Sequence, residues 1–213
     1  MATGEVFNVG SAHRQTPLGV SSPYGITSRK LCMWLFIASD AMTFGALMVA
    51  YGYLRVGSAQ WPRPFDFSPS ILNATTMTFV LLTSSLTMAM AVRAARGSNR
   101  SSTIQWLLAT LALGILFVVL HLREWAGLYH EGVRLFQNPW GTPNFGAAFF
   151  SLTGLHIFHV SAGVIYLACV AIGVGRGTTN SDDVEISGLY WCFVDLVWMF
   201  VFPLVYLMSI RIA

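Results

Sequence analysis

The chain has 213 residues, 55% of them hydrophobic and only 10% charged. An ordinary globular protein carries nearer ~25% charge, so this chain cannot cover a water-facing surface of its size. Its net charge of +3 comes from eleven Arg and one Lys against nine acids, with no basic cluster interleaved with aromatics, which argues against a nucleic-acid partner.

Residues 1–30 are polar and contain Pro17, Pro23 and several Gly and Ser. They lack the basic start and short apolar run of a cleaved signal peptide, so they are expected to remain as an N-terminal tail. The remainder, 31–213, holds five segments long enough for the ~20 residues that a helix needs to cross hydrocarbon. These are 31–54, 72–92, 104–122, 145–173 and 189–210. Proline lacks the amide hydrogen and clashes with the preceding turn, so Trp61-Pro62-Arg63-Pro64 stops the first segment. Arg93–Ser102 is short and basic. Asn138–Asn144 contains Pro139, Gly141 and Pro143, and Gly175–Ser187 is polar with Asp182, Asp183 and Glu185. Lipid offers backbone amides no partner, so each span is predicted to be helical. The predicted fold is all-α: a polytopic membrane protein built as a five-transmembrane-helix bundle.

Counting Lys and Arg flanking the spans gives seven on the side of the N-terminal tail (Arg14, Arg29, Lys30, Arg93, Arg96, Arg100 and Arg176). The opposite side has five (Arg55, Arg63, Arg123, Arg134 and Arg211). The excess predicts a cytoplasmic N-terminus and an external C-terminus. No internal repeat, Arg series or filter-like loop points to a transporter, voltage sensor or channel.

Ionisable groups in hydrocarbon cost roughly 2.5–3.5 kcal/mol each at mid-helix, so each calls for a partner or a role. The first span carries Asp40. His121 and Glu124 stand at i, i+3 near the end of the third span, and His156 and His159 have the same spacing in the fourth. Asp195 lies in the fifth. One reading of these groups is a haem or di-iron site, but the Glu-x-x-His order of di-iron bundles is missing. His156 and His159 are only a turn apart, and His121 is close to a span end. The other reading is hydrogen bonding between helices, with Asp40 and Glu124 also able to relay protons near headgroups. Ser84, within Thr83-Ser84-Ser85, belongs with the interhelical packing residues. Gly45, Gly52, Gly114, Gly154 and Gly163 are expected to let helices approach closely. Trp34, Trp61, Trp106, Trp125, Trp140 and Trp191 lie near span ends as interfacial anchors do. Cys32, Cys169 and Cys192 are single cysteines in apolar stretches, so neither a disulfide framework nor a thiolate zinc site is indicated.

Taken together, five motifs in order resemble subunit III of the haem–copper terminal oxidases. They are Met33-Trp34-Leu35-Phe36-Ile37-Ala38-Ser39-Asp40, Leu72-Asn73-Ala74 with Leu81-Leu82-Thr83-Ser84-Ser85, and Glu124-Trp125. The fourth runs from Phe150 to Val160 around Thr153-Gly154-Leu155-His156 and His159, and the fifth is Tyr190-Trp191-Cys192-Phe193-Val194-Asp195-Leu196-Val197-Trp198. The resemblance covers about residues 28–211. Two positions depart from it: Asp40 stands where the family more often has Glu, and Cys192 where it usually has His.

The resemblance implies the short five-helix bacterial form, in the cytoplasmic (inner) membrane. It implies a chain with no redox centre of its own, the haems and copper belonging to partner subunits I and II. It further implies bound phospholipid, support of proton uptake and of the stability of subunit I, and membership in a respiratory supercomplex as one option. On this reading Asp40 and Glu124 are the proton- or lipid-associated residues. His121, His156, His159, Asp195 and Ser84 tie the helices together, with no metal ligand among them. The accessory protein of nitric oxide reductase, in the same superfamily, and a haem b membrane anchor remain as alternatives.

Overall fold

The computed structural model describes residues 27–210. The expected tail lies outside the described residues through residue 26, as do Arg211 and the C-terminus. Five long helices account for the chain: α1 (Ser28–Gly57), α2 (Leu72–Arg96), α3 (Arg100–His130), α4 (Pro143–Arg176) and α5 (Ser181–Val201). A π-helical turn at Phe67–Ile71 leads into α2, and Phe202–Tyr206 and Leu207–Ser209 carry α5 onward as π and 3₁₀ turns. All five are long and apolar enough to cross a membrane, so the chain is an integral membrane protein with the helical architecture expected. Helices α1, α3 and α4 overrun their hydropathy spans at both ends, α2 runs on past the end of its span, and α5 begins eight residues before its own. At 1.5 Å per residue, α4 with 34 residues is roughly 50 Å long, well beyond the ~30 Å hydrocarbon layer.

The helix ends follow local chemistry. Gly177 adopts φ 74°, the left-handed conformation that an L side chain resists. Its amide donates to the Val174 carbonyl and the Thr178 amide donates to the Gly173 carbonyl, a Schellman closure of α4. Three residues later Asn180 and Asp183 form a reciprocal capping box that starts α5. At α3 the Asn99 side chain accepts from the Ser102 amide.

Helix α5 is the hub, packed against α1, α2 and α4, while α2 and α3 share the most extensive interface. Twelve α5 residues are buried, against only Phe44 and Tyr51 in α1. Helix α1 lies on α4 and α5 and presents Leu35, Phe36, Met42 and Val49 outward, a surface suited to lipid or a partner helix. Ion pairs close the bundle where α1 begins: Arg29 with Asp183, and Glu185 held between Lys30 and Arg96. At the other end the Arg55 guanidinium donates to the Ser209 hydroxyl and to the Met208 carbonyl.

Two readings of the sequence are corrected here. Trp191 is not an interfacial anchor: it is 2% exposed, in the bundle core. A Cβ on Gly114 would stand 2.6 Å from Trp191 Cη2, and one on Gly163 would stand 3.1 Å from the neighbouring Cζ3. Those two glycines therefore make room for an indole. Gly45 and Gly52 have nothing within 4 Å of such a Cβ and bring no helices together.

Candidate functional site

The polar residues inside the spans fall into three groups, and α5 joins each of them to a neighbour. The first lies where α1 meets α4. His159 Nδ1 lies 2.9 Å from the Leu155 carbonyl one turn back. A carbonyl can only accept, so Nδ1 carries a hydrogen, and Nε2 is left facing Asp40 Oδ2 at 2.8 Å. The two groups are within ion-pair distance without a hydrogen bond between them, since Asp40 Oδ2 has no hydrogen-bond partner among the described residues. Phe44 packs edge-on to the ring at 5.4 Å, and the Tyr190 hydroxyl donates to the His159 carbonyl at 2.9 Å. Asp40 is thus a mid-span polar contact of a helix whose other polar ties, through Arg29, Lys30, Tyr51 and Arg55, lie toward its ends.

The second group joins α2 to α5. Ser85 donates to Asp195 Oδ2, and Ser84, one position earlier, accepts from Trp191 Nε1 at 3.0 Å. Adjacent hydroxyls are about 100° apart around a helix, yet both meet α5 because Trp191 reaches round from the position one turn before Asp195. Cys192 lies on the exposed flank of α5.

The third group fills the interface of α3, α4 and α5. His156 is fully buried, with Nε2 3.1 Å from the Val194 carbonyl. Its ring and that of His121 both pack on Trp198, at 5.0 and 5.6 Å, and on Phe117, at 5.7 Å each. Trp198 Nε1 donates to the Thr78 hydroxyl at 3.0 Å. Nearby, the Tyr206 hydroxyl donates to Glu124 Oε2 at 2.9 Å.

His156 and His159, which the i, i+3 spacing puts on one helix face, therefore diverge, one toward α5 and the other toward α1. His121 and Glu124 share a face without bonding to each other. Among the described residues no group of three or more His, Cys, Asp or Glu is placed to hold a metal ion. The His121 and His156 rings lie on the same indole and phenyl, and His156 Nε2 is already engaged. What the arrangement offers chemically is interhelical hydrogen bonding and one close carboxyl–imidazole contact. Sequence reasoning missed Tyr206, because a lone tyrosine three residues after Pro203 carries no sign of its reach to Glu124. It also missed the Asp40–His159 pairing, for which each helix supplies only half of the information.

Comparison with known proteins gives a family match to "Cytochrome c oxidase subunit III" over residues 15–210. The chain is 34% identical over 183 residues to a cytochrome c oxidase subunit 3 of Alkalihalophilus pseudofirmus, covering 84% of this chain and 86% of that one. Against a quinol oxidase subunit 3 of Bacillus subtilis it is 34% identical over 184 residues, 84% and 87% of the two chains. Against a probable quinol oxidase subunit 3 of Staphylococcus saprophyticus the figures are 32% over 186 residues, 84% and 89%.

Proposed function

The chain belongs to the cytochrome c oxidase subunit III family, and from that premise we propose that it is the accessory subunit III of a bacterial proton-pumping haem–copper oxidase. In this reading it packs beside subunit I in the cytoplasmic membrane. Subunits I and II carry the haems and copper that reduce oxygen to water, and this chain binds phospholipid and sustains proton uptake. The relatives' names include both cytochrome c and quinol oxidases, so either donor suits the proposal. A cytoplasmic N-terminus is supported by the gathering of Arg29, Lys30, Arg96 and Arg100 where α1 and α3 begin and α2 ends.

The observation that carries the proton role is the Asp40–His159 contact. It sets a half-buried carboxyl on α1, the least buried helix of the bundle, 2.8 Å from a buried imidazole on α4. A variant that loses the ionisable group but keeps the side chain's shape tests whether activity over repeated turnover depends on it. Asp40→Asn, which keeps a polar group opposite Nε2, should leave assembly intact and hasten loss of oxidase activity during turnover. An inactivation rate equal to wild type would refute the role of Asp40. The assignment as a whole is tested by isolating the chain from native membranes in mild detergent. Co-purification of subunits I and II with an a- or o-type haem spectrum is the expected result. A chain that comes alone, or that keeps haem after being stripped to homogeneity, would overturn it.

A further inference from the structure

The interface around Trp198 contains more polar atoms than its protein partners can satisfy. Among the described residues, neither His121 Nδ1 nor Nε2 has a hydrogen-bond partner, nor do His156 Nδ1, Glu124 Oε1 and Trp125 Nε1. His121 and His156 are both 0% exposed. The groups share neighbours: His121 is 5.5 Å ring to ring from Trp125 and packs with His156 on Trp198 and Phe117, while Glu124 is bonded to Tyr206, which itself packs on Trp198 at 5.9 Å.

The donor and acceptor inventory decides what they need. The Val194 carbonyl can only accept, so His156 Nε2 bears the hydrogen and Nδ1 of the neutral ring is an acceptor. A neutral His121 brings one donor and one acceptor whichever tautomer it adopts, and Trp125 brings one donor. Two donors thus face three acceptors if Glu124 Oε1 is a carboxylate oxygen, and three donors face two acceptors if it bears a hydrogen. No rearrangement of these side chains alone can satisfy the set. Water, with two donors and two acceptors, is the ligand that balances it, and a buried water ordinarily makes about three such bonds. Hydrocarbon surrounding the bundle supplies none.

We propose that the α3–α4–α5 interface beside Trp198 is an internal water-binding site, in which at least one ordered water bridges His121 to Glu124 Oε1 and His156 Nδ1. Its consequence is a continuous hydrogen-bonded path from Tyr206 through Glu124 and His121 to His156, inside the subunit and separate from the Asp40–His159 pair.

The test needs no oxidase activity and so stands apart from the functional assignment. His121→Gln keeps a donor and an acceptor, whereas His121→Leu keeps neither, and both lose the aromatic ring. With a bridging water, His121→Leu strands Glu124 and His156 and should lower the unfolding midpoint of the chain in its purified native complex by several degrees relative to His121→Gln. If His121→Leu is as stable as His121→Gln or more so, the nitrogens are simply unpaired and the proposal falls. Should the leucine variant fail to fold, the unsubstituted complex decides the matter. At a resolution that shows ordered water elsewhere in the bundle, density within hydrogen-bond reach of His121 and of Glu124 or His156 supports the site. A dry interface there refutes it.

Discussion

Gly114→Ala should be among the most damaging one-carbon changes available in this bundle. The added Cβ would stand 2.6 Å from Trp191 Cη2 and 3.0 Å from Val164 Cγ2, where carbon atoms settle at about 3.5–4.0 Å. The indole cannot swing away, because Tyr190 and Trp191 already crowd the Gly163 backbone and Nε1 is held by Ser84 Oγ. Overpacking of this kind costs about 1–3 kcal/mol, and displacing the ring far enough to break the Ser84 bond adds about 1 kcal/mol. Together these give roughly 2–4 kcal/mol. The control is Gly45→Ala, where a Cβ meets nothing within 4 Å and the better helix propensity of Ala favours the variant by up to about 1 kcal/mol. Both variants are compared by thermal or denaturant unfolding of the purified chain in detergent. The diagnostic partner is Trp191→Phe, which removes the clashing ring atoms. Gly114→Ala should cost much less on that background, with a coupling of about 1–2 kcal/mol in the double-mutant cycle. Gly114→Ala no worse than Gly45→Ala, or a coupling near zero, would refute the claim that these glycines exist to seat the indole.

Ser84→Ala leaves the buried Trp191 Nε1 without an acceptor and should cost about 1–3 kcal/mol, read as a lower unfolding midpoint; no change would mean that the indole finds another partner. Tyr206→Phe deprives Glu124 of its only donor among the described residues, with a similar expected loss and measurable coupling to Glu124→Gln. His156→Ala acts inside the chain, since the ring is fully buried against Val194 and Trp198. It should lower the stability of the isolated subunit before it affects any partner, and the opposite order would place His156 at a subunit interface. Glu185→Gln breaks contacts with Lys30 and Arg96 that are partly exposed, so its cost should stay within about 1 kcal/mol. That cost should vanish toward 1 M salt, where charges are screened beyond about 3 Å.

What the sequence determined by itself was whatever depends on one segment at a time. Five apolar runs are too long to bury in a chain of this size and too short of charge to face water, so they had to be membrane helices. Prolines after Gln60, the Arg-rich turn near residue 96 and the polar stretch after Gly175 marked the breaks between those helices, although α5 begins at Ser181, inside that stretch. The resemblance carried by the motifs around Asp40, His156 and Asp195 was also legible, because it resides in residue identities along single helices. The pairings were decided only in the tertiary structure. In a soluble bundle an amphipathic stripe tells which face turns inward, but here lipid is as acceptable to Leu and Phe as a neighbouring helix, so hydropathy leaves the rotation of each helix open. Packing geometry then turns His159 toward Asp40 and His156 toward Val194, although one helical turn separates them, and carries Tyr206 across to Glu124. It also buries Trp191 in the space that Gly114 and Gly163 leave open, because the way an indole fits between three helices depends on their mutual angle and depth, which no single helix encodes.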